Sequence, residues 1–278
     1  MSNFAIGFRH ESHLAIGKGV IVPLEKSPVQ INKEILNIHL EEHGFHLKGT
    51  IEAKYLLYNP LDNEVNLTVV FPIYYDQNAV VLLDNKELFI NHIYPSSLEL
   101  TLSDFEINQE WIDPLTKETY TPAGGDYEYK TYNPYGLVAS FEILLEPHET
   151  SNLTVSYTQD PSYENSKYAD FIWRYDYLLT PARLWGNYND LEINIFTPRN
   201  MRIASSLSFE KLSETHYQAM YSKLPDENLS FFVTKNRPVR GNYTPSESTL
   251  IRSFLPIAFV GVCLYFGFLL ISRLKRKD

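Results

Sequence analysis

The chain has 278 residues with 24 basic and 34 acidic side chains, which gives a formal net charge of -10. The first 253 residues carry 20 basic and 33 acidic side chains, and a body this acidic repels polyanions, so we expect no nucleic-acid partner. The single cysteine, Cys263, lies in a C-terminal apolar run, which excludes a disulfide framework, a thiol nucleophile and a thiolate metal site elsewhere in the chain.

Strand patterns begin after an N-terminal extension, residues 1–27. Apolar and polar side chains alternate in residues 35–40, and this period of two predicts a half-buried strand. The alternation continues through residues 45–58 and, after a turn rich in Pro, Asp and Asn, through residues 65–71. The sequence therefore predicts three successive antiparallel strands.

Short alternating segments separated by turn residues continue along the chain. Further strands are predicted at residues 79–83, 87–90, 98–105, 137–145, 152–157, 191–196, 203–209, 216–221 and 229–234. No stretch of the sequence before the apolar run has a sustained helical period. We therefore predict an all-β fold, an antiparallel β-sandwich that is one large sandwich or two packed ones, with a first portion at 28–160 and a second at 161–236.

A long segment, residues 109–136, interrupts these strands and is rich in Tyr, Gly, Pro and acidic residues. Loops of this length are usually functional or poorly ordered, and aromatic rings beside carboxylates can bind sugars or peptides. We predict a recognition surface for a protein or carbohydrate partner. Its candidate residues are Trp111, Tyr120, Asp126, Tyr127, Tyr129 and Tyr132. A hydrolase that uses two of the loop carboxylates remains an alternative.

Three histidines, His39, His43 and His46, lie close to Glu41 and Glu42. Imidazole and carboxylate groups bind zinc when they converge. On a strand, however, His39 and His43 share one face and His46 points to the other. The pattern favours a solvated hairpin end, and we predict no metal and no cofactor.

An aromatic stripe occupies alternate positions at Phe171, Trp173, Tyr175 and Tyr177. Such a stripe could form a ligand platform, but it is more typical of a sandwich core, and we predict core. The sequence contains no Gly-rich phosphate loop, Gly-x-Ser-x-Gly elbow or dinucleotide fingerprint. The missing motifs favour a protein without catalytic activity.

The C-terminal region has an apolar run at residues 254–272, preceded by a stalk at 237–253 and followed by a basic tail at 273–278. A helix of this run spans about 28 Å at about 1.5 Å per residue, which matches the hydrocarbon core of a bilayer at about 30 Å. We predict a single C-terminal transmembrane helix that anchors the chain in the lipid bilayer. The anchor residues are Phe254, Pro256, Gly261, Gly267, Arg273, Lys275, Arg276 and Lys277.

The charges beside this span predict its orientation in the membrane. The dense basic tail favours a cytoplasmic C-terminus in the cell membrane, with an extracytoplasmic body. Residues 1–8 show no basic region followed by an apolar core, so we expect that a signal segment was removed or lies upstream of Met1. The alternative topology is that of a tail-anchored protein with a cytoplasmic body. Glycines in the span also leave open an accessory subunit of a transporter or signalling complex.

Several short motifs share one order along residues 17–160. They are Tyr55-Leu-Leu-Tyr-Asn-Pro60, Val69-Val-Phe-Pro72 and Phe141-Glu-Ile-Leu-Leu-Glu-Pro147. The series resembles that of vault/inter-alpha-trypsin type domains and of a related bacterial extracytoplasmic family of unknown function. The resemblance implies a β-sandwich interaction module with no catalytic residues. We expect a membrane-anchored module that binds a protein or glycan partner.

Overall fold

A computed structural model describes residues 18–19, 22–23, 26–44, 46–71, 79–93, 110–122, 138–164 and 170–235. The chain divides into two units, residues 1–236 and 237–278, and all described residues belong to the first. They are β-strands and connections with a short 3₁₀ helix, Thr180–Leu184, which confirms the all-β prediction. No helix in these ranges is long and apolar enough to cross a bilayer; the predicted span lies outside them.

Nineteen strands occur within the described residues. In chain order they are β1 Lys18–Gly19, β2 Val22–Pro23, β3 Gln30–His43, β4 His46–Tyr58, β5 Val65–Phe71, β6 Val80–Leu83, β7 Lys86–Glu87, β8 Asn91–Ile93, β9 Trp111–Ile112, β10 Thr119–Tyr120, β11 Val138–Leu145, β12 Thr150–Gln159, β13 Ser162–Glu164, β14 Ile172–Leu178, β15 Asn187–Phe196, β16 Met201–Ser205, β17 Glu210–Lys211, β18 His216–Lys223 and β19 Leu229–Lys235.

The largest sheet has eight strands in the order β17-β18-β15-β3-β4-β12-β6-β7. Its centre is the long antiparallel set β3, β4 and β12, and β15 joins the edge of β3 in parallel. Strands β15 and β18 come from the predicted second portion, yet they complete a sheet begun by the first. The two predicted β portions therefore share one sheet.

Two smaller sheets form the other layer of the sandwich. One contains β1, β14, β19 and β16 with β13 on β14, and the other has the order β2-β5-β11-β8. Side chains from both meet the large sheet: the Tyr177 and Tyr55 hydroxyls are 2.9 Å apart, and the Phe71 and Tyr157 ring centroids are 5.1 Å apart. Gly49 permits close approach, because a Cβ there would lie 3.1 Å from Cε1 of Tyr175. The core lies between these layers.

Strand β14 carries the aromatic stripe found in the sequence. Trp173, Tyr175 and Tyr177 are buried in the main core, which confirms the interpretation of the stripe as core. The alternate residues Arg174 and Asp176 are also buried and form an ion pair at 2.9 Å. Both faces of this strand are therefore covered.

The cover on the second face of β14 is the hairpin of β9 and β10, within the segment that we expected to be a long loop. Trp111 packs on Phe232 with ring centroids 5.5 Å apart. The turn between the strands is built by Asp113, whose carboxylate accepts hydrogen bonds from the backbone N–H groups of Leu115 and Thr116. Part of the predicted loop is thus regular structure.

Candidate functional site

The solvent side of the large sheet carries a row of polar and aromatic side chains on β3, β15 and β18. We call it the outer-face patch, and it comprises Lys33, Asn37, His39, Glu192, Asn194, Phe196, His216, Gln218 and Met220. These residues share a face because side chains alternate along each strand. Register then aligns Asn37, Asn194 and Gln218 in one row and His39, Phe196 and His216 in the next.

Asn194 is the centre of the polar part of this patch and is itself buried beneath its neighbours, with 5% exposure. Its Nδ2 donates to Oδ1 of Asn37 at 3.2 Å and to Oε1 of Glu192 at 3.0 Å. Its Oδ1 accepts from Nε2 of Gln218 at 3.1 Å and contacts Nε2 of His216 at 3.0 Å. Because an amide oxygen only accepts, His216 carries its proton on Nε2 in this arrangement. The five side chains are fixed relative to one another.

Phe196 forms the aromatic part of the patch together with two imidazoles. The His39 ring stacks on one side with centroids 4.4 Å apart, and the His216 ring stacks on the other at 4.3 Å. Both faces of the Phe196 ring are therefore covered. A bound molecule would stack on the outer imidazole faces, and the exposed His39 is the most accessible of the three rings.

A surface cavity of about 360 Å³ lies at the far end of the patch, lined in part by Lys33, Glu192 and Met220. Lys33 and Glu192 form an ion pair at 3.5 Å. Hydrogen bonding from Asn194 and the Lys33 charge lower the pKa of Glu192, against the effect of partial burial. Met220 is 71% exposed. This end offers a carboxylate, an ammonium group and an apolar surface within one concavity.

A second polar cluster lies inside the sandwich, around Glu34 on β3, which is fully buried. Tyr177, from the opposing sheet, donates to Oε1 of Glu34 at 2.8 Å, and Tyr188 donates to Oε2. The Tyr55 hydroxyl lies 2.9 Å from the Tyr177 hydroxyl and also hydrogen-bonds Glu34. Burial raises the pKa of Glu34 to about 7, although the hydrogen bonds of these tyrosines favour the charged form.

An irregularity in β3 directs Glu34 inward. The pairing of β3 with β4 shifts register between Ile31 and Lys33, and the extra residue Asn32 changes which side chains face the core. Opposite it, Asp190 on β15 has a left-handed backbone with φ 40°. If residues 31 to 34 alternated regularly without this bulge, Lys33 would lie inside and Glu34 in solvent.

The predicted loop candidates fall in two groups. Trp111 is 1% exposed and packs beneath its hairpin, which corrects the expectation that its ring lies on an exposed surface. Tyr120 is half-buried and its hydroxyl donates to Oε1 of Glu164 at 2.7 Å. The remaining candidates, Asp126, Tyr127, Tyr129 and Tyr132, lie outside the described residues, as do the anchor residues of 254–278.

The histidines considered as metal ligands do not converge where they are described. His39 stacks on Phe196, and His43 lies 3.7 Å from a carboxylate oxygen of Glu41. The side chain of His46 is not among those described. Within the described ranges, no group of three or more His, Cys, Asp or Glu side chains is placed to hold a metal ion.

Sequence reasoning missed both Glu34 and the Asn194 network. Glu192 and Asn194 occupy alternate positions in a predicted strand, which signals a shared outward face. Their partners Asn37 and Gln218 lie far away in the sequence, and only the strand order brings them together. For Glu34 the visible signal is a carboxylate at a position where a strand should bury an apolar side chain.

No family model and no curated protein matches this sequence. Among solved structures, a protein of Legionella pneumophila that is provisionally named a nutrient-binding protein matches with a TM-score of 0.56 and 12% identity, over 78% of this chain and 70% of that one. This likeness shows a shared fold. The resemblance to vault and inter-alpha-trypsin domains stays a prediction.

Two further similar structures are enzymes of greater length. Native leukotriene A4 hydrolase from Saccharomyces cerevisiae matches with a TM-score of 0.42 and 9% identity, over 74% of this chain and 29% of that one. An M1 zinc metallopeptidase from Deinococcus radiodurans matches with a TM-score of 0.34 and 10% identity, over 74% and 42%. The chain thus spans less than half of either enzyme.

Proposed function

We propose that this chain is a membrane-anchored binding module without catalytic activity, whose β-sandwich presents the outer-face patch to a protein or glycan partner. This proposal rests on the hydrogen-bonded row of side chains centred on Asn194. Its side chains are held in place by one another before any partner arrives, and such preorganisation lowers the entropy cost of binding.

The chemistry of the patch suits a hydroxylated or amide-bearing partner. Asn37, Gln218 and Glu192 together offer both donors and acceptors, and His39 offers an exposed ring beside them. Met220 adds an exposed apolar contact. The shared fold with a protein provisionally named nutrient-binding is consistent with a binding role.

The binding proposal is tested with the full chain in lipid nanodiscs, applied to arrays of glycans and of peptides. We expect a defined class of ligand to be retained, and retention to fall in the double variant His39→Ser with Met220→Ser. The matched control is Phe89→Ser with Leu144→Ser, which also removes two exposed side chains. Equal retention by both variants, or no retention by the parent chain, would reject the patch as the binding surface.

We further propose that residues 254–272 form the transmembrane anchor and that the body lies outside the cell membrane. The apolar run and the basic tail support this arrangement. In a Cys263→Ser background, Asp126→Cys should react with an impermeant thiol reagent in intact cells, and Asp278→Cys should react only after permeabilisation. The opposite pattern would place the body in the cytoplasm.

A further inference from the structure

A surface cleft of about 350 Å³, with three cationic side chains in its lining, lies beside edge strands of two sheets. Strand β16 is an edge of one sheet and β17 is an edge of the large sheet, and both contribute side chains to the lining. Lys117, Arg202 and Lys211 line the cleft together with Glu214 and Tyr217. Three cations beside one carboxylate contrast with the acidic charge of the chain as a whole.

Lys117 is placed by the hairpin of β9 and β10. It takes a left-handed backbone with φ 66°, and its N–H donates to the Asp113 carbonyl at 2.8 Å. Its Nζ donates to the backbone carbonyl of Ile203 on β16. The buried Trp111 fixes the hairpin against the sheet below. Hydrogen bonds at the backbone N–H and at Nζ therefore hold Lys117 in place at the cleft.

Two of the cations of the cleft, Lys117 and Arg202, are close enough to affect one another. Partial burial lowers the pKa of Lys117, and the positive charge of Arg202 lowers it further, while Asp113 opposes both. An anion bound between Lys117 and Arg202 would favour the charged form of Lys117, because its attraction to both cations offsets the repulsion between them.

The third cation comes from the neighbouring sheet. Lys211 on β17 places its Nζ 5.4 Å from the centroid of the Tyr217 ring on β18, a cation–π contact that restrains the side chain. Glu214, in the turn that joins these strands, offers a carboxylate that can accept from a hydroxyl group. Three separate elements therefore supply the three positive charges.

We propose that this cleft binds the phosphate group of a small hydroxylated phosphomonoester. A phosphate carries about two negative charges and three strong acceptor oxygens at neutral pH, which matches three cations from different directions. A planar carboxylate is satisfied by a single bidentate arginine. The cleft is larger than a bare phosphate needs, and Glu214 provides a partner for a hydroxyl of the ester.

Binding here is separate from the outer-face patch, because Tyr217 points to the opposite side of β18 from His216 and Gln218. The acidic body also disfavours long polyanions, so a small ligand is preferred over nucleic acid. A phosphate site would add a second specificity to the module.

The test uses the full chain in detergent micelles and isothermal titration with three probes: inorganic phosphate, glucose 1-phosphate and glucuronate. We expect saturable binding of glucose 1-phosphate, weaker binding of inorganic phosphate, and the weakest of glucuronate. Arg202→Gln with Lys211→Gln should weaken binding of glucose 1-phosphate by about tenfold or more. Both side chains are exposed, so the fold should be retained.

The matched control is Lys86→Gln with Lys223→Gln, which removes the same charge from exposed positions away from the cleft. It should bind as the parent does, and Arg202→Lys with Lys211→Arg should restore most of the affinity. Absent saturable binding, or equal weakening in the two charge-removing variants, would overturn the site. Glucuronate binding as tight as that of glucose 1-phosphate would overturn the assignment to phosphate.

Discussion

Glu34 and Glu192 lie on neighbouring strands of one sheet but face opposite sides of it. In register, Glu34 is beside Leu191 and Glu192 is beside Ile35. Burial raises the pKa of Glu34 to about 7, whereas hydrogen bonding from Asn194 lowers the pKa of Glu192. The opposite pKa shifts come from the surroundings of the two carboxyl groups. Glu34 is buried and has only tyrosine hydroxyls as hydrogen-bond donors, with no positive charge beside it among the described residues. Glu192 is partly exposed, accepts hydrogen bonds from amide groups and lies beside the Lys33 ammonium group.

This contrast assigns different roles to the two faces. The inner carboxyl ties the layers together through Tyr177, which belongs to the opposing sheet. The outer carboxylate is part of a fixed row of partly exposed side chains around the buried Asn194. Substitution at Glu34 should therefore act on folding and its pH dependence, and substitution at Glu192 should act mainly on the surface.

The largest expected effect is that of Glu34→Ala. The change leaves the hydroxyls of Tyr177 and Tyr188 without their acceptor and opens a cavity, so we expect a loss of about 3–4 kcal/mol in the free energy of unfolding at mildly acidic pH. Glu192→Ala should lose less than about 1 kcal/mol. Denaturant unfolding of the full chain in micelles measures both, and equal losses would remove the distinction between the faces.

The next effect is the pH dependence of stability caused by Glu34. Since its pKa is about 7 in the fold and 4.5 is the usual value, the folded state binds the proton more tightly. This contribution is complete below about pH 4.5 and is lost as pH rises to about 7, with a total of about 3 kcal/mol.

The matched variant for this effect is Glu34→Gln, which keeps a carbonyl acceptor for the tyrosines but cannot ionise. The difference in unfolding free energy between parent and variant should change steadily between about pH 4.5 and about pH 7 and level off outside that range. A constant difference across the range would show that Glu34 does not titrate with a raised pKa in the fold.

Tyr157 offers a smaller test of the same interior. Its hydroxyl is buried and has no hydrogen-bond partner among the described residues, and burial together with the charge of Glu34 raises its pKa. An unpaired buried hydroxyl is costly, so Tyr157→Phe should stabilise the protein by about 1 kcal/mol. Tyr55→Phe is the control and should destabilise, because it removes the bond to Tyr177. Destabilisation by Tyr157→Phe would show that its hydroxyl is paired.

The all-β fold class and the positions of many strands along the chain can be predicted from the sequence. Alternation in a segment such as 65–71 directly indicates a strand with one buried face. Alternation back from Leu36 places Glu34 on the buried face, but alternation forward from Ile31 places it in solvent, because the extra residue Asn32 lies between them. The pairing of Asn37 with Asn194 depends on a parallel contact between distant strands. Local pattern does not contain that information. Arg174 and Asp176 were hidden for a similar reason, because a remote hairpin covers them.

The smallest effect is expected for Glu192→Gln, on the outer face. The lowered pKa of Glu192 means that its contribution is present above its usual value of 4.5 and is lost as pH falls through the lower folded value. An accessible ion pair with Lys33 contributes about 0.5 kcal/mol or less, and salt screens it. Thermal unfolding at low and high salt should therefore show a small deficit for Glu192→Gln at low salt that disappears at high salt. A deficit that persists at high salt would mean that the negative charge of Glu192 acts mainly by strengthening the hydrogen bonds from Asn194 and Gln218, which a neutral Gln accepts more weakly, and not through Lys33.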